Sequence, residues 1–152
     1  MIDIIINRHR ASLLEAKELF AQFDEKDWRF KPNVDRWSRI EIVGHLVDSA
    51  IHNYIRYNEV TFAPLPYAVR PYNQVELVKS NQYQHANIAD LIELLFALNK
   101  RLLEKYEQFS EHTLGAEVIT AEGIQTQLIF MVEGYVDHFQ NHLKQIKNIV
   151  VV

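Results

Sequence analysis

The chain of 152 residues has no cysteine. No disulfide can staple it and no thiolate can ligate a metal, so any bound ion must be held by histidine, carboxylate or water. That absence fits a soluble, reducing setting, and a cytoplasmic protein is expected. Glycine and proline number only four each, which leaves few helix breaks and no flexible linker. No stretch approaches the ~20 apolar residues of a membrane span. The N-terminal Ile4-Ile5-Ile6 run is followed at once by Asn7, Arg8, His9 and Arg10, which does not read as a signal peptide. Basic residues are outnumbered, 16 against 20 acidic, for a net charge of −4. Phosphate-backbone binding needs a clustered basic face, so neither a nucleic acid nor a membrane is expected as a partner. Internal repeats and low-complexity tracts are missing. So are the paired Glu-x-x-His motifs of a di-iron carboxylate bundle, which excludes that class.

What is present is apolar residues at helical spacing. They make up 48% of the chain, enough for one domain over residues 1–152 that buries roughly two thirds of its unfolded surface. The first segment, Ile2 to Phe23, carries Ile2, Ile5, Leu13, Ala16, Phe20 and Phe23 on one face, with His9 in its middle. Asp24 to Trp37 reads as a connector, with a turn at Lys31-Pro32-Asn33. Its Trp28, Phe30 and Trp37 either plug one end of the core or line a substrate pocket. The second helix, Ser38 to about Val60, opens with the capping box Ser38-Arg39-Ile40-Glu41 and a staple of Trp37 on Ile42. Three prolines, Pro64, Pro66 and Pro71, break the long connection from Thr61 to Gln84. Asn73 and Glu76 mark a short helix within it, Gln74 to Asn81. The third helix, about Asn87 to Phe109, has a stripe of Ile88, Leu91, Ile92, Leu95, Leu98, Leu102 and Tyr106. Val118–Thr120 and Ile124–Thr126 then form a small hairpin or extended loop, with Gly123 where a positive φ is needed. The fourth helix runs from Gln127 to Ile149. Four amphipathic segments with one long crossover between the second and third predict an all-α four-helix bundle.

Val136-Asp137-His138-Phe139-Gln140-Asn141-His142-Leu143 is the centre of the functional reading. His138 and His142 stand four residues apart and stack on one helical face, so they can bite one ion. A third ligand must come from elsewhere, and His45 supplies it. It flanks the second helix's stripe of Ile42, Val43, Leu46, Val47, Ala50 and Tyr54, and is placed by the capping box in that helix's second turn. If the two stripes pack, three imidazoles converge at one rim of the interface. Three protein ligands and one open position are the pattern of a catalytic metal. The bland alternative is that a chain with seven histidines forms such pairs by chance. His52 is ~10 Å along the axis from His45, too far to share an ion. Asp48 is either an acceptor that orients an imidazole or a solvated acid on the helix flank. Asp137 is a base candidate by position alone, pointing ~100° away from His138. His9 is either a core histidine or a wall of the pocket near the metal.

Three stretches resemble a known family. Arg36-Trp37-Ser38 leading into Ile42-Val43-Gly44-His45-Leu46-Val47-Asp48-Ser49 resembles the second-helix signature of the DinB-like family. Tyr135 to Ile146 resembles its fourth-helix signature, and Pro71-Tyr72-Asn73-Gln74 is similar to its crossover stretch. The resemblance implies an up-down-down-up bundle and a divalent metal, zinc or nickel, held by His45, His138 and His142. It also implies a hydrolase, or a transferase of low-molecular-weight thiols, acting on a small electrophilic substrate as a homodimer. Many members carry a further histidine where this chain has Asn141; that position is expected to be peripheral, so the trio is kept, and any proton-shuttle role played there in other members does not carry over by resemblance. The expected nucleophile is water or a thiol activated by the ion. His9, Trp37 and Tyr72 are the candidate pocket walls. A non-catalytic bundle that binds a metal or a small ligand among Trp28, Phe30, Trp37, Tyr67 and Tyr72 is the alternative.

Overall fold

The fold follows from four long helices that each bury one apolar face, and a computed structural model describes all residues, 1–152. The long helices are α1 (Ile2–Phe20), α3 (Arg39–Glu59), α5 (Ile88–Gln108) and α7 (Leu128–Asn148). Between them lie the short α2 (Glu25–Arg29), α4 (Gln74–Ser80) and α6 (Glu111–Leu114), a 3₁₀ turn at Tyr83–His85, and strands β1 (Tyr67–Ala68), β2 (Glu117–Ile119) and β3 (Gln125–Gln127).

Helix starts are set by side-chain caps. Ser38 Oγ accepts the Glu41 N–H at 3.3 Å, and Glu41 Oε1 accepts the Ser38 N–H at 3.1 Å. Asn73 and Asn87 cap α4 and α5 in the same way, through the N–H groups of Glu76 and Asp90.

Side-chain pairings establish the direction of each long helix. Arg8 reaches Glu133 and Gln140 while Ser12 meets Gln140, so α1 and α7 run parallel. Arg39 reaches Ile146 and Tyr57 reaches Met131, so α3 opposes α7. Tyr54 meets Arg101 and Tyr57 meets Tyr106 and Phe109, so α5 runs with α3. The order is up-down-down-up, as expected. The long crossover makes two consecutive long helices parallel, which a short loop cannot do.

Buried side chains fill both ends of the bundle. One group centres on Ile40, Val43, Leu46, Leu95, Leu143 and Ile146. The other centres on Tyr57, Leu102, Tyr106, Val118, Leu128 and Val132. Each such side chain contributes about 1.5–3 kcal/mol by leaving water.

The structure adds to the sequence reading in three places. Helix α1 stops at Phe20, short of Phe23. The connector holds α2, closed by a reciprocal Asp24–Asp27 capping box. The expected hairpin forms, with Gly123 at φ 82°, but the crossover supplies a third strand: β1 pairs parallel with β2, Tyr67 opposite Val118. Two residues of strand carry too little periodicity to show in a sequence.

Candidate metal centre

From Ser38 to Ala50 every residue of α3 and its cap is buried. This half of the helix is covered on all sides, so each polar group on it needs a partner. His45 is 1% exposed. Its Nε2 lies 3.0 Å from His138 Nε2, which lies 3.1 Å from His142 Nε2. One ligand nitrogen from each of the three residues falls within 4.8 Å of the other two. Two nitrogens bound to one zinc ion at 2.0–2.1 Å and a tetrahedral angle stand about 3.4 Å apart, close to what these rings show.

Charge and tautomer favour a cation among them. Burial first, then the neighbouring His142 and His138, push the His45 imidazolium down to about 3. Burial and His142 push His138 down to about 4. Burial lowers His142 as well, opposed by its hydrogen bond to Gln145. All three are neutral at pH 7, and a neutral imidazole offers one lone pair. His142 Nδ1 lies 2.8 Å from Gln145 Oε1. That oxygen only accepts, so Nδ1 carries the proton and Nε2 bears the lone pair. His138 Nε2 faces two other Nε2 atoms and has at most one proton to donate. Nδ1 of His45 and Nδ1 of His138 are buried without a protein partner. Three crowded nitrogens with too few protons fit a shared divalent ion, so the donor set suits the metal that the resemblance implies.

Trp37 lies against His45, ring centroids 4.9 Å apart at 36°, and covers it. A cavity of about 360 Å³ opens beside His138. Helix α3 lines it with Ser49, Asn53 and Arg56, α7 with Gly134 and Tyr135, and the crossover with Tyr72. Tyr72 also stacks on His52 at 3.9 Å and 17°.

The remaining candidates are placed differently. His9 is not a wall of that cavity. It is fully buried, and its Nε2 donates to Asn99 Oδ1 at 2.8 Å, an oxygen that also takes the Tyr135 hydroxyl at 2.7 Å. It is therefore the core histidine of the two alternatives. Trp37 touches His45 but does not line the cavity either; Tyr72 does. Asp48 is neither solvated nor aimed at an imidazole. Its Oδ1 accepts the Tyr83 hydroxyl at 2.6 Å, and it is His52 Nδ1 that donates to the Asp48 backbone carbonyl at 2.7 Å. Burial raises the Asp48 carboxyl, with Tyr83 and His52 opposing. Asp137 pairs with Arg8 on the surface, and Asn141 is exposed.

Sequence reasoning missed Gln145, Asn53, Arg56 and Gly134. The first three carry a helical-wheel signal: Gln145 is three residues from His142, and Asn53 and Arg56 lie on the His45 side of α3. Gly134 has none, because what a glycine leaves open depends on the opposing helix.

The DinB superfamily family model matches residues 6–146. Among solved structures, the fold is similar to that of YfiT from Bacillus subtilis, described as a probable metal-dependent hydrolase with an unusual four-helix bundle topology. That match has 18% identity and a TM-score of 0.85, covering 95% of this chain and 83% of that one. The fold is also similar to the mycothiol-dependent maleylpyruvate isomerase, at 19% identity and TM-score 0.71, covering 91% of this chain and 59% of that one. A histidine-to-alanine mutant of that isomerase matches at 15% identity and TM-score 0.75, covering 100% of this chain and 62% of the other. The chain thus spans about three fifths of the isomerase's length. No curated protein matches it.

Proposed function

The chain belongs to the DinB superfamily, and on that footing we propose that it is a metal-dependent enzyme. In this reading His45, His138 and His142 hold one divalent ion, zinc or nickel. The protein acts as a hydrolase, or as a transferase of a low-molecular-weight thiol, on a small electrophilic substrate. The observation that carries the reading is the convergence of three neutral imidazoles through Nε2 beside a cavity that one of them, His138, helps to wall.

Such an ion supplies Lewis acidity, which makes water or a small thiol a competent nucleophile near neutral pH. The chain's own residues do the rest. Gln145 holds the His142 tautomer, burial keeps the rings unprotonated, and Trp37 shields His45 from solvent. The cavity of about 360 Å³ is of a size to admit a compact small molecule. Neither carboxylate candidate hydrogen-bonds to the three rings: Asp48 Oδ1 takes the Tyr83 hydroxyl, and Asp137 pairs with Arg8 on the surface. Activation of the nucleophile then comes from acidity conferred by the ion rather than from a carboxylate. In the same reading the protein is a cytoplasmic homodimer, and its net charge of −4 argues against a nucleic-acid partner.

Elemental analysis of the purified protein beside His138→Ala tests the ligand set. One equivalent of zinc or nickel is expected in the parent and well under half of that in the variant. Equal metal in both removes His138 from the site. Activity against thiol-reactive electrophiles should disappear on chelation and return with zinc or nickel; activity that survives full chelation sinks the enzymatic reading.

A further inference from the structure

One wall of the cavity is a polar stripe of α3. From His45, the residues Ser49, Asn53 and Arg56 follow at four, eight and eleven positions. At about 100° per residue all three stay within about 80° of His45, and Arg56 lies ~16 Å further along the axis. Arg56 is half-buried and belongs to none of the protein's ion pairs. Its Nη2 donates to the Arg70 carbonyl at 2.7 Å. Its guanidinium carbon stands 5.5 Å from the centroid of the Tyr72 ring. Those contacts hold the fork in place, and no other hydrogen bond uses it, so most of its five N–H donors are unspent. The acid in the cavity wall, Glu122, is exposed and does not pair with it. A held guanidinium with no carboxylate partner, at the edge of a cavity, suits a planar anion bound two-pronged.

The facing wall supports a ligand from a second direction. A Cβ added at Gly134 would meet nothing within 4 Å. Glycine inside a helix is less favourable than alanine there, yet here it leaves open the side of α7 that faces the stripe.

We propose that this cavity is a carboxylate subsite: Arg56 anchors the carboxylate of a small ligand whose other end lies against His138. The inference rests on the reading of the three histidines as a reactive centre, and it names the substrate class of that centre. The carboxylate belongs to the electrophile or to the thiol, which present the same chemistry to Arg56.

Calorimetric titration with two matched pairs separates these sources. The first pair is 4-nitrobenzoate and 4-nitrobenzamide, standing for an electrophile. The second is 3-mercaptopropionate and 3-mercaptopropionamide, standing for a thiol. Each is titrated into the protein as purified and again after chelation, with metal content measured alongside. In at least one pair the acid should bind about tenfold or more tighter than the amide. Arg56→Gln should bring that preference to within about twofold without changing metal content, and Arg56→Lys should keep part of it. The pair that loses its preference identifies the source. Gly134→Leu, which leaves every charge in place, should weaken both members of that pair about tenfold. No preference for acid in either pair overturns the proposal. So does a preference that survives Arg56→Gln, or binding indifferent to Gly134→Leu. A preference lost on chelation but kept in Arg56→Gln puts the anion on the ion, overturning the subsite while upholding the metal reading. An Arg56-dependent preference in a protein that binds no metal does the reverse.

Discussion

His142 is aimed by a neighbour one turn along its own helix. Gln145 Oε1 takes the Nδ1 proton and leaves Nε2 to face the other two rings. Gln145→Leu keeps the helix and removes that acceptor, so zinc affinity should fall about 10–100-fold. Competition with a chromophoric chelator measures it, and unchanged affinity rejects the role. His9 shows the opposite use of an imidazole. It is buried among Tyr106, Tyr135 and Phe139. Burial holds its imidazolium down to about 4, only partly opposed by Asn99. Between about pH 6.5 and pH 4 the unfolded chain therefore binds a proton at this position that the folded protein refuses. Stability from this group is complete above the unfolded value and is lost as pH falls toward the folded one. The loss from pH 7 to pH 5 should be about 2 kcal/mol. Urea unfolding of zinc-loaded protein at both pH values, beside His9→Gln, tests it; the variant should show a pH dependence shallower by about that amount. Parallel curves would mean that His9 is solvated.

Helix α3 is the element on which the site depends, and burial of its first half, through Ala50, on every side explains the odd composition there. Arg39 is 3% exposed because its guanidinium caps α7, donating to the carbonyls of Ile146 and Ile149 at 2.9 and 2.6 Å. It thereby ties the start of the helix bearing His45 to the end of the helix bearing His142. One turn on, Gly44 lets the Tyr83 ring lie directly on the α3 backbone. A Cβ there would sit 2.1 Å from Tyr83 Cδ2, far inside van der Waals contact. Gly44→Ala must displace the ring and its hydrogen bond to Asp48. The helix-propensity gain of roughly 1 kcal/mol is outweighed, and a net loss of about 1–3 kcal/mol is expected in urea unfolding. The cost should shrink when Gly44→Ala is combined with Tyr83→Ala, since the double variant has no ring to clash with. A cost independent of Tyr83 would place the strain elsewhere.

For the whole molecule, an ion held as proposed by His45, His138 and His142 would tie together two helices whose ligands His45 and His138 stand 93 residues apart in sequence. The unfolded chain offers no such preformed site, so binding energy becomes folding energy. At free zinc 100 times its dissociation constant the gain is about 2.7 kcal/mol, which shifts the melting temperature of a chain this size by roughly 5–10 °C. Calorimetry with excess zinc and with excess chelator should show that difference in the parent and lose it in His138→Ala. Coincident melting of the parent in both conditions contradicts a shared ion.

The chain alone carried the bundle and the position of its three convergent histidines. Periodicity and capping are local: Ser38 with Glu41 sets the register of α3, and a four-residue interval puts His138 and His142 on one face whatever surrounds them. Helix ends marked by Ser38, Asn73 and Asn87 were legible for the same reason. Tertiary structure alone decided what each remaining polar group meets. His9 read as core histidine or pocket wall, and Asp48 as an imidazole's acceptor or a solvated acid, until Asn99, some 90 residues away, and Tyr83, some 35 away, supplied their partners. Trp37 and Tyr72 looked alike as aromatic walls, yet one covers His45 and the other lines the cavity. Arg56 had no visible role before the crossover folded back to hold it through Arg70 and Tyr72. A periodic pattern is a property of a single segment, whereas the partner of a buried polar group comes from whichever distant segment packs against it.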